Sequence, residues 1–86
     1  MQKIINLNMK EKRLSECECL KKYFISKINI EDDLLKYHLN AMMIREKESI
    51  IILNKAYLNK AFIVNVLDIN YAIDLFICER IMVYDI

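Results

Sequence analysis

The segment SIIILNKAYLNKAFIVNVLDI (Ser49–Ile69) is apolar over most of its length, and its polar residues are spread rather than gathered on one face. A segment of that kind has to be enclosed on several sides. Read as strands, it folds back at Asn59-Lys60 and sets Ile50–Leu58 against Ala61–Ile69. Read as helix, it starts at Ser49 or Asn54 and ends near Leu67. Periodicity alone does not separate a buried helix from buried strands. The isoleucine run Ile50–Ile52 favours strand. Length favours helix, as do the alanines of the near-copies Asn54–Leu58 and Asn59–Ile63.

Composition tips the balance to helix. The chain contains no Gly, no Pro and no Trp, and it also has no Thr. Tight hairpins prefer Gly where φ is positive, strands are enriched in Thr, and helix interiors exclude Gly and Pro. The expectation is therefore an all-α fold, a compact bundle of three or four helices with 49–69 as its central member. The alternative is α+β, with two helices packed on a small antiparallel sheet drawn from 49–69 and 81–86.

Working outward in the helical reading, Met9–Ile28 is an amphipathic helix, with Leu14, Cys17, Leu20, Phe24 and Ile28 on one side. Asn29 caps the next helix, about Ile30–Glu48, where Glu31, Asp32 and Asp33 suit the positive end of the helix dipole. Leu34, Leu35, His38, Leu39, Ala41 and Met42 form its apolar side. A last helix spans Tyr71–Met82, and the tail Ile81–Ile86 has strand propensity. Residues 1–8 are a lead-in arm or an edge strand, and 1–86 is expected to be a single domain.

Thirteen basic and 12 acidic residues leave a formal charge of +1 across 86 residues. No global field directs such a chain to nucleic acid or to an acidic surface. Hydrophobic residues make up 56% of it, yet a chain of this size buries only about 60% of its unfolded surface. Apolar side chains therefore stay outside on a monomer and mark an interaction face. Met42, Met43, Tyr57, Phe62, Tyr71 and Phe76 are the candidates, and a homo-oligomer, a dimer first of all, or a protein partner is the expected occupant.

Catalysis is not expected. The only histidine, His38, has no recognisable nucleophile or acid partner beside it, and a phosphate loop needs glycine. Cys17, Cys19, Cys78 and His38 are conceivable zinc ligands. Two thiols two residues apart on a helix point about 200° apart, so free thiols in a reducing compartment are the simpler reading. No cofactor or metal is expected. Neither a secretory signal nor a membrane span is expected, which places the chain in the cytoplasm.

The functional expectation is a non-catalytic interaction protein: a small regulator or inhibitor of phage, viral or mobile-element origin that masks or bridges a partner. The alternative is a helical DNA-binding transcriptional regulator, with nucleic-acid contacts from Lys10, Lys12, Arg13, Lys21 and Lys22.

Overall fold

The computed structural model describes residues 10–85, so the lead-in 1–8 lies outside the described residues. The chain forms β1 (Lys12–Arg13), β2 (Lys22–Ile28), α1 (Asp33–Ala41), β3 (Ser49–Ala56), β4 (Ala61–Val66), β5 (Ile69–Asp74), α2 (Leu75–Cys78) and β6 (Ile81–Asp85). The strands make one six-stranded sheet in the order β1-β6-β2-β3-β4-β5. Every ladder in it is antiparallel. The all-α bundle is thus corrected to a mostly antiparallel β fold with two short helices, and the α+β alternative stands closer to it.

The segment Ser49–Ile69 is not one helix. It supplies β3, β4 and the start of β5, joined by a 3₁₀ turn over Tyr57–Asn59 and a two-residue turn at Leu67-Asp68. Along β4, Phe62, Val64 and Val66 are buried while Ala61, Ile63 and Asn65 are half-buried. Strict alternation of this kind belongs to a strand with one face on a core. In β3 the inward residues are Ile50 and Ile52, and the outward neighbours Ile51 and Leu53 are only half-exposed. Both faces are therefore apolar, and the period-two signal disappears from the sequence.

The absence of glycine did not forbid hairpins. Lys60 (φ 52°), Leu67 (φ 50°) and Asp68 (φ 67°) occupy the left-handed region themselves, as do Leu20, Met43 and Lys47. Each non-glycine residue there costs about 1–2 kcal/mol, and burial of the strands offsets it.

The expected helix Met9–Ile28 is instead β1, a 3₁₀ turn at Leu14–Glu16, and β2. Leu14 and Cys17 are buried by the turn, whereas Tyr23 and Ile25 alternate inward along the strand. The helix expected over Ile30–Glu48 exists as the shorter α1. Its cap is Asp32 rather than Asn29, since the Asp32 carboxylate accepts from the Leu35 N–H at 3.1 Å. The helix expected over Tyr71–Met82 breaks into β5, α2 and the start of β6.

Bulges lie between Ile25 and Lys27 against β6, and between Ile52 and Asn54 against β4. A bulge sharpens local bend and twist, which wraps the sheet around a core of Leu14, Tyr23, Ile50, Phe62, Ile81 and Val83, each with no accessible surface. Partly buried Leu35 of α1 and Met42 just after it pack against that core, as does Leu75 of α2. Among the described residues no helix is long and apolar enough to cross a membrane.

Candidate functional site

The turn after β3 and the short helix after β5 come together although they are far apart in sequence. Lys60, in the left-handed conformation, closes the 3₁₀ turn by donating its N–H to Tyr57 O at 3.0 Å. Its own carbonyl accepts the Leu75 N–H at 2.7 Å. This bond fastens the start of α2 to the β3–β4 turn. An open groove of about 610 Å³ results, lined by Tyr57, Asn59, Lys60, Asp74, Leu75, Phe76 and Glu79.

Both aromatic residues are exposed, Tyr57 at 60% and Phe76 at 55%, and Leu58, next to Tyr57 in sequence, stands fully in solvent. Each wall is also held in place. Tyr57 meets the buried Phe62 ring edge-on, and the Lys55 ammonium lies 5.3 Å from the Phe62 centroid. The Arg80 guanidinium carbon sits 3.6 Å above the Phe76 centroid, and its Nη1 donates to Phe76 O at 2.8 Å. On the other side of Phe76 a second depression of about 420 Å³ runs to Ile30, Glu31, Asp32 and Leu35 at the start of α1.

Of the six residues singled out for an interaction face, Tyr57 and Phe76 are thus at this groove. Phe62 is fully buried beneath Tyr57 and supports the surface rather than forming it. Met42, Met43 and Tyr71 pack half-buried against the core elsewhere, Met42 beside a narrow crevice that it shares with His38 and Ala72. Sequence reasoning did not connect Lys60, Asp74, Leu75 and Glu79 with Tyr57, because the helical reading kept the two segments apart.

The five candidate nucleic-acid contacts do not make one open patch. Lys12 and Lys21 both reach Asp85 Oδ1, at 3.8 and 3.5 Å, and Arg13 reaches Glu16 at 3.8 Å. The two ammonium groups also flank the Tyr23 ring, each 5.5 Å from its centroid. The Asp85 carboxylate raises the pKa of Lys21. Lys10 and Lys22 are exposed. A polar opening of about 520 Å³ lies between Arg13, Asn29, Glu79, Arg80 and Met82, but both of its arginines already have acidic neighbours.

The thiols stay apart in character: Cys17 and Cys78 are buried, and Cys19 is exposed. Burial raises the pKa of Cys17 and pushes that of Cys78 up to about 12. The Cys78 thiol points at Ile73 O, 3.9 Å away. His38 is exposed on α1 with Tyr37 beside it. Among the described residues no three His, Cys, Asp or Glu side chains gather in a way that could hold a metal ion.

Comparison with known proteins places this fold. No curated protein sequence matches the chain. A solved structure described as an iron uptake regulatory protein (FeoA) superposes with a TM-score of 0.74 at 21% identity, covering 87% of this chain and 96% of that one. Iron(II) transport protein A from Clostridium thermocellum gives 0.77 at 19% identity, over 87% of this chain and 46% of that one. A manganese-dependent transcriptional repressor gives 0.82 at 11% identity, over 92% of this chain but only 44% of the repressor. At these identities the likeness establishes the fold, an SH3-like one, and this chain spans less than half of the repressor.

These findings overturn the expected phage, viral or mobile-element inhibitor. The DNA-binding alternative is nearer to them, through likeness to metal-dependent repressors such as this one, and that likeness is confined to a part of those chains. Residues 12–85, which run from β1 to the end of β6, match the FeoA domain, and the chain therefore belongs to the FeoA domain family.

Proposed function

We propose that this chain is a non-enzymatic accessory protein of iron(II) transport, working in the cytoplasm by contact with a protein component of the uptake system. The match of residues 12–85 to the FeoA domain carries the reading. The names of two solved relatives, an iron uptake regulatory protein and an iron(II) transport protein A, point the same way. Iron is cargo of the system in this reading, not a resident cofactor of the chain.

The surface supports contact as the means. Tyr57 and Phe76 are large apolar side chains left in solvent at one groove, which is what a protein-binding surface offers. The free thiols suit a reducing compartment. The ion-paired lysines of the β1–β6 side offer little to a DNA backbone.

The deciding experiment is radioactive iron(II) uptake by cells of the native host with and without the gene, under reducing, iron-limited conditions. Uptake is expected to fall on deletion and to return with the wild-type chain. Unchanged uptake overturns the reading. Equilibrium dialysis of the purified chain against iron(II) is expected to show no stoichiometric binding.

A further inference from the structure

We infer that the open edge of β5 pairs with the β5 edge of a second copy of this chain, antiparallel and in one register. Such pairing is independent of the part the chain plays in iron(II) transport. The sheet ends in two unlike edges. At one end β1 is two residues long, and both of them, Lys12 and Arg13, are cationic. Short length and positive charge are how natural sheets keep an edge from pairing with another chain. At the other end β5 runs over six residues, INYAID, with no Lys, Arg or Pro and its single charge at the last position, Asp74. The two bulges lie in other ladders, and the β4–β5 register is regular. Among the described residues no backbone hydrogen bond from outside that ladder reaches residues 70–73.

The turn decides which backbone groups point outward. Val66 and Ile69 close a two-residue turn in which Leu67 and Asp68 both have positive φ. In a hairpin of that kind the closing pair exchanges both of its hydrogen bonds, and bonded and non-bonded pairs then alternate along the ladder. Ile69, Tyr71 and Ile73 therefore spend their backbone groups on β4. Asn70 and Ala72 turn N–H and carbonyl to the open side, and Asp74 turns its N–H there. The side chains sort the same way. Tyr71 and Ile73 lie on the core face, while Asn70, Ala72 and Asp74 lie exposed on the other.

A second copy related by a dyad at Ala72 meets all of these groups. Ala72 then faces the partner's Ala72, Asn70 faces the partner's Asp74, and Tyr71 faces the partner's Ile73. Each Ala72 N–H donates to the carbonyl of the partner's Ala72, and each Asp74 N–H donates to the carbonyl of the partner's Asn70. The side chains agree with this register. Asn65 donates to Asn70 Oδ1 at 2.8 Å, which leaves the Asn70 Nδ2 hydrogens to donate elsewhere. Asp74 precedes α2 without a side-chain capping bond, so its carboxylate is left to accept them. On the core face an aromatic ring meets a β-branched side chain, a favourable cross-strand pair. The partner's Tyr71 arrives there beside a crevice of about 160 Å³ between Ile73 and Leu35, His38, Leu39 and Met42. Other registers lose these matches. A dyad at Tyr71 sets Asp74 against the partner's Asp68, and a dyad at Ile73 leaves Asn70 opposite helix instead of strand. A dyad satisfies each match twice, and a net charge of +1 does not oppose the association of like chains.

The test is sedimentation equilibrium of the purified full chain and of variants that read the register. The wild-type chain is expected to approach twice the chain mass below millimolar concentration. Ala72→Lys, which sets two ammonium groups face to face, is expected to raise the dissociation constant about tenfold or more. Asn70→Asp, which sets carboxylate against carboxylate, is expected to act in the same direction. Adding Asp74→Asn to Asn70→Asp recreates the pair with its members exchanged and is expected to restore the dimer. All three positions are exposed, so folded variants are expected, and if Ala72→Lys fails to fold the exchanged pair decides. In a mixed dimer of labelled and unlabelled chains, an NOE is expected between Tyr71 Hα and Hα of the partner's Ile73, the close approach of a non-hydrogen-bonded pair. A monomer at millimolar concentration overturns the proposal, including one whose β5 edge takes a strand of a different protein. A dimer that ignores both charge substitutions, or that the exchanged pair does not restore, overturns it equally.

Discussion

Tyr57 meets Phe62 edge to face, with ring centroids 5.6 Å apart and planes at 87°. The inner ring is fully buried on β4, and the outer one is mostly in solvent at the end of β3. An exposed wall is therefore positioned by a core residue. An edge-to-face pair contributes about 0.5–1.5 kcal/mol beyond area burial, whereas emptying the Phe62 site costs about 3–5 kcal/mol. Urea denaturation of Phe62→Ala, Tyr57→Ala and the double variant is expected to show those two scales, with a coupling energy inside the first range. Additive effects would mean that Tyr57 is not braced by Phe62.

The turn between β4 and β5 offers a simple stabilisation. Val66 pairs with Ile69, so Leu67 and Asp68 alone connect the strands, both at positive φ. Two-residue turns of that geometry prefer Asn then Gly. Leu67→Asn with Asp68→Gly is expected to stabilise the fold by about 1 kcal/mol or more. For a domain of this size each 1 kcal/mol raises the melting temperature by roughly 4–8 °C. An unchanged or lower melting temperature would contradict the strain assigned to this turn.

The helix cap separates two readings of one short sequence. Asn29 and Asp32 both precede α1, and both are ordinary capping residues. Only Asp32 accepts a first-turn amide, whereas Asn29 uses its backbone N–H on Arg80 O at 2.7 Å. Asp32→Ala is expected to cost about 1 kcal/mol, against a few tenths for Asn29→Ala. Chemical denaturation of the two variants checks the order, and a reversed order would assign the cap to Asn29.

How much was legible follows from residues such as these. The helix centred on Leu35–Leu39 was readable because one apolar stripe and an acidic start coincide there. The hairpins were not, for two physical reasons. Ile51 and Leu53 keep the outer face of β3 apolar, which hides its alternation. Leu67, Asp68 and Lys60 also do the work of absent glycines, so a compositional argument pointed away from turns that exist. Leu14, Cys17 and Phe24 fall at helical spacing, although Leu14 opens a 3₁₀ turn, Cys17 follows it and Phe24 lies in a strand. Tyr57 and Phe76 stood out as individual residues. Their meeting at one groove depends on the Lys60–Leu75 bond, which no local pattern announces.

The buried thiols give the fold a pH limit on the alkaline side. Burial is the main cause that lifts the Cys78 pKa from an ordinary 9.0 to about 12, with the Asp74 carboxylate adding to it. The folded chain holds this proton more tightly than the unfolded chain does. The thiol therefore contributes its full stabilisation below pH 9.0 and loses it progressively as the pH rises from there towards 12. Cys17, raised mainly by burial, acts in the same direction. Melting temperature is expected to decline above pH 9, and Cys78→Ser, which removes the titrating thiol, is expected to flatten that decline. Alkylation at neutral pH supplies a second readout. Exposed Cys19 is expected to react in the native chain, with Cys17 and Cys78 reacting only after unfolding. Three fast thiols in the native state, or an alkaline limb unaltered by Cys78→Ser, would show that burial does not hold these protons.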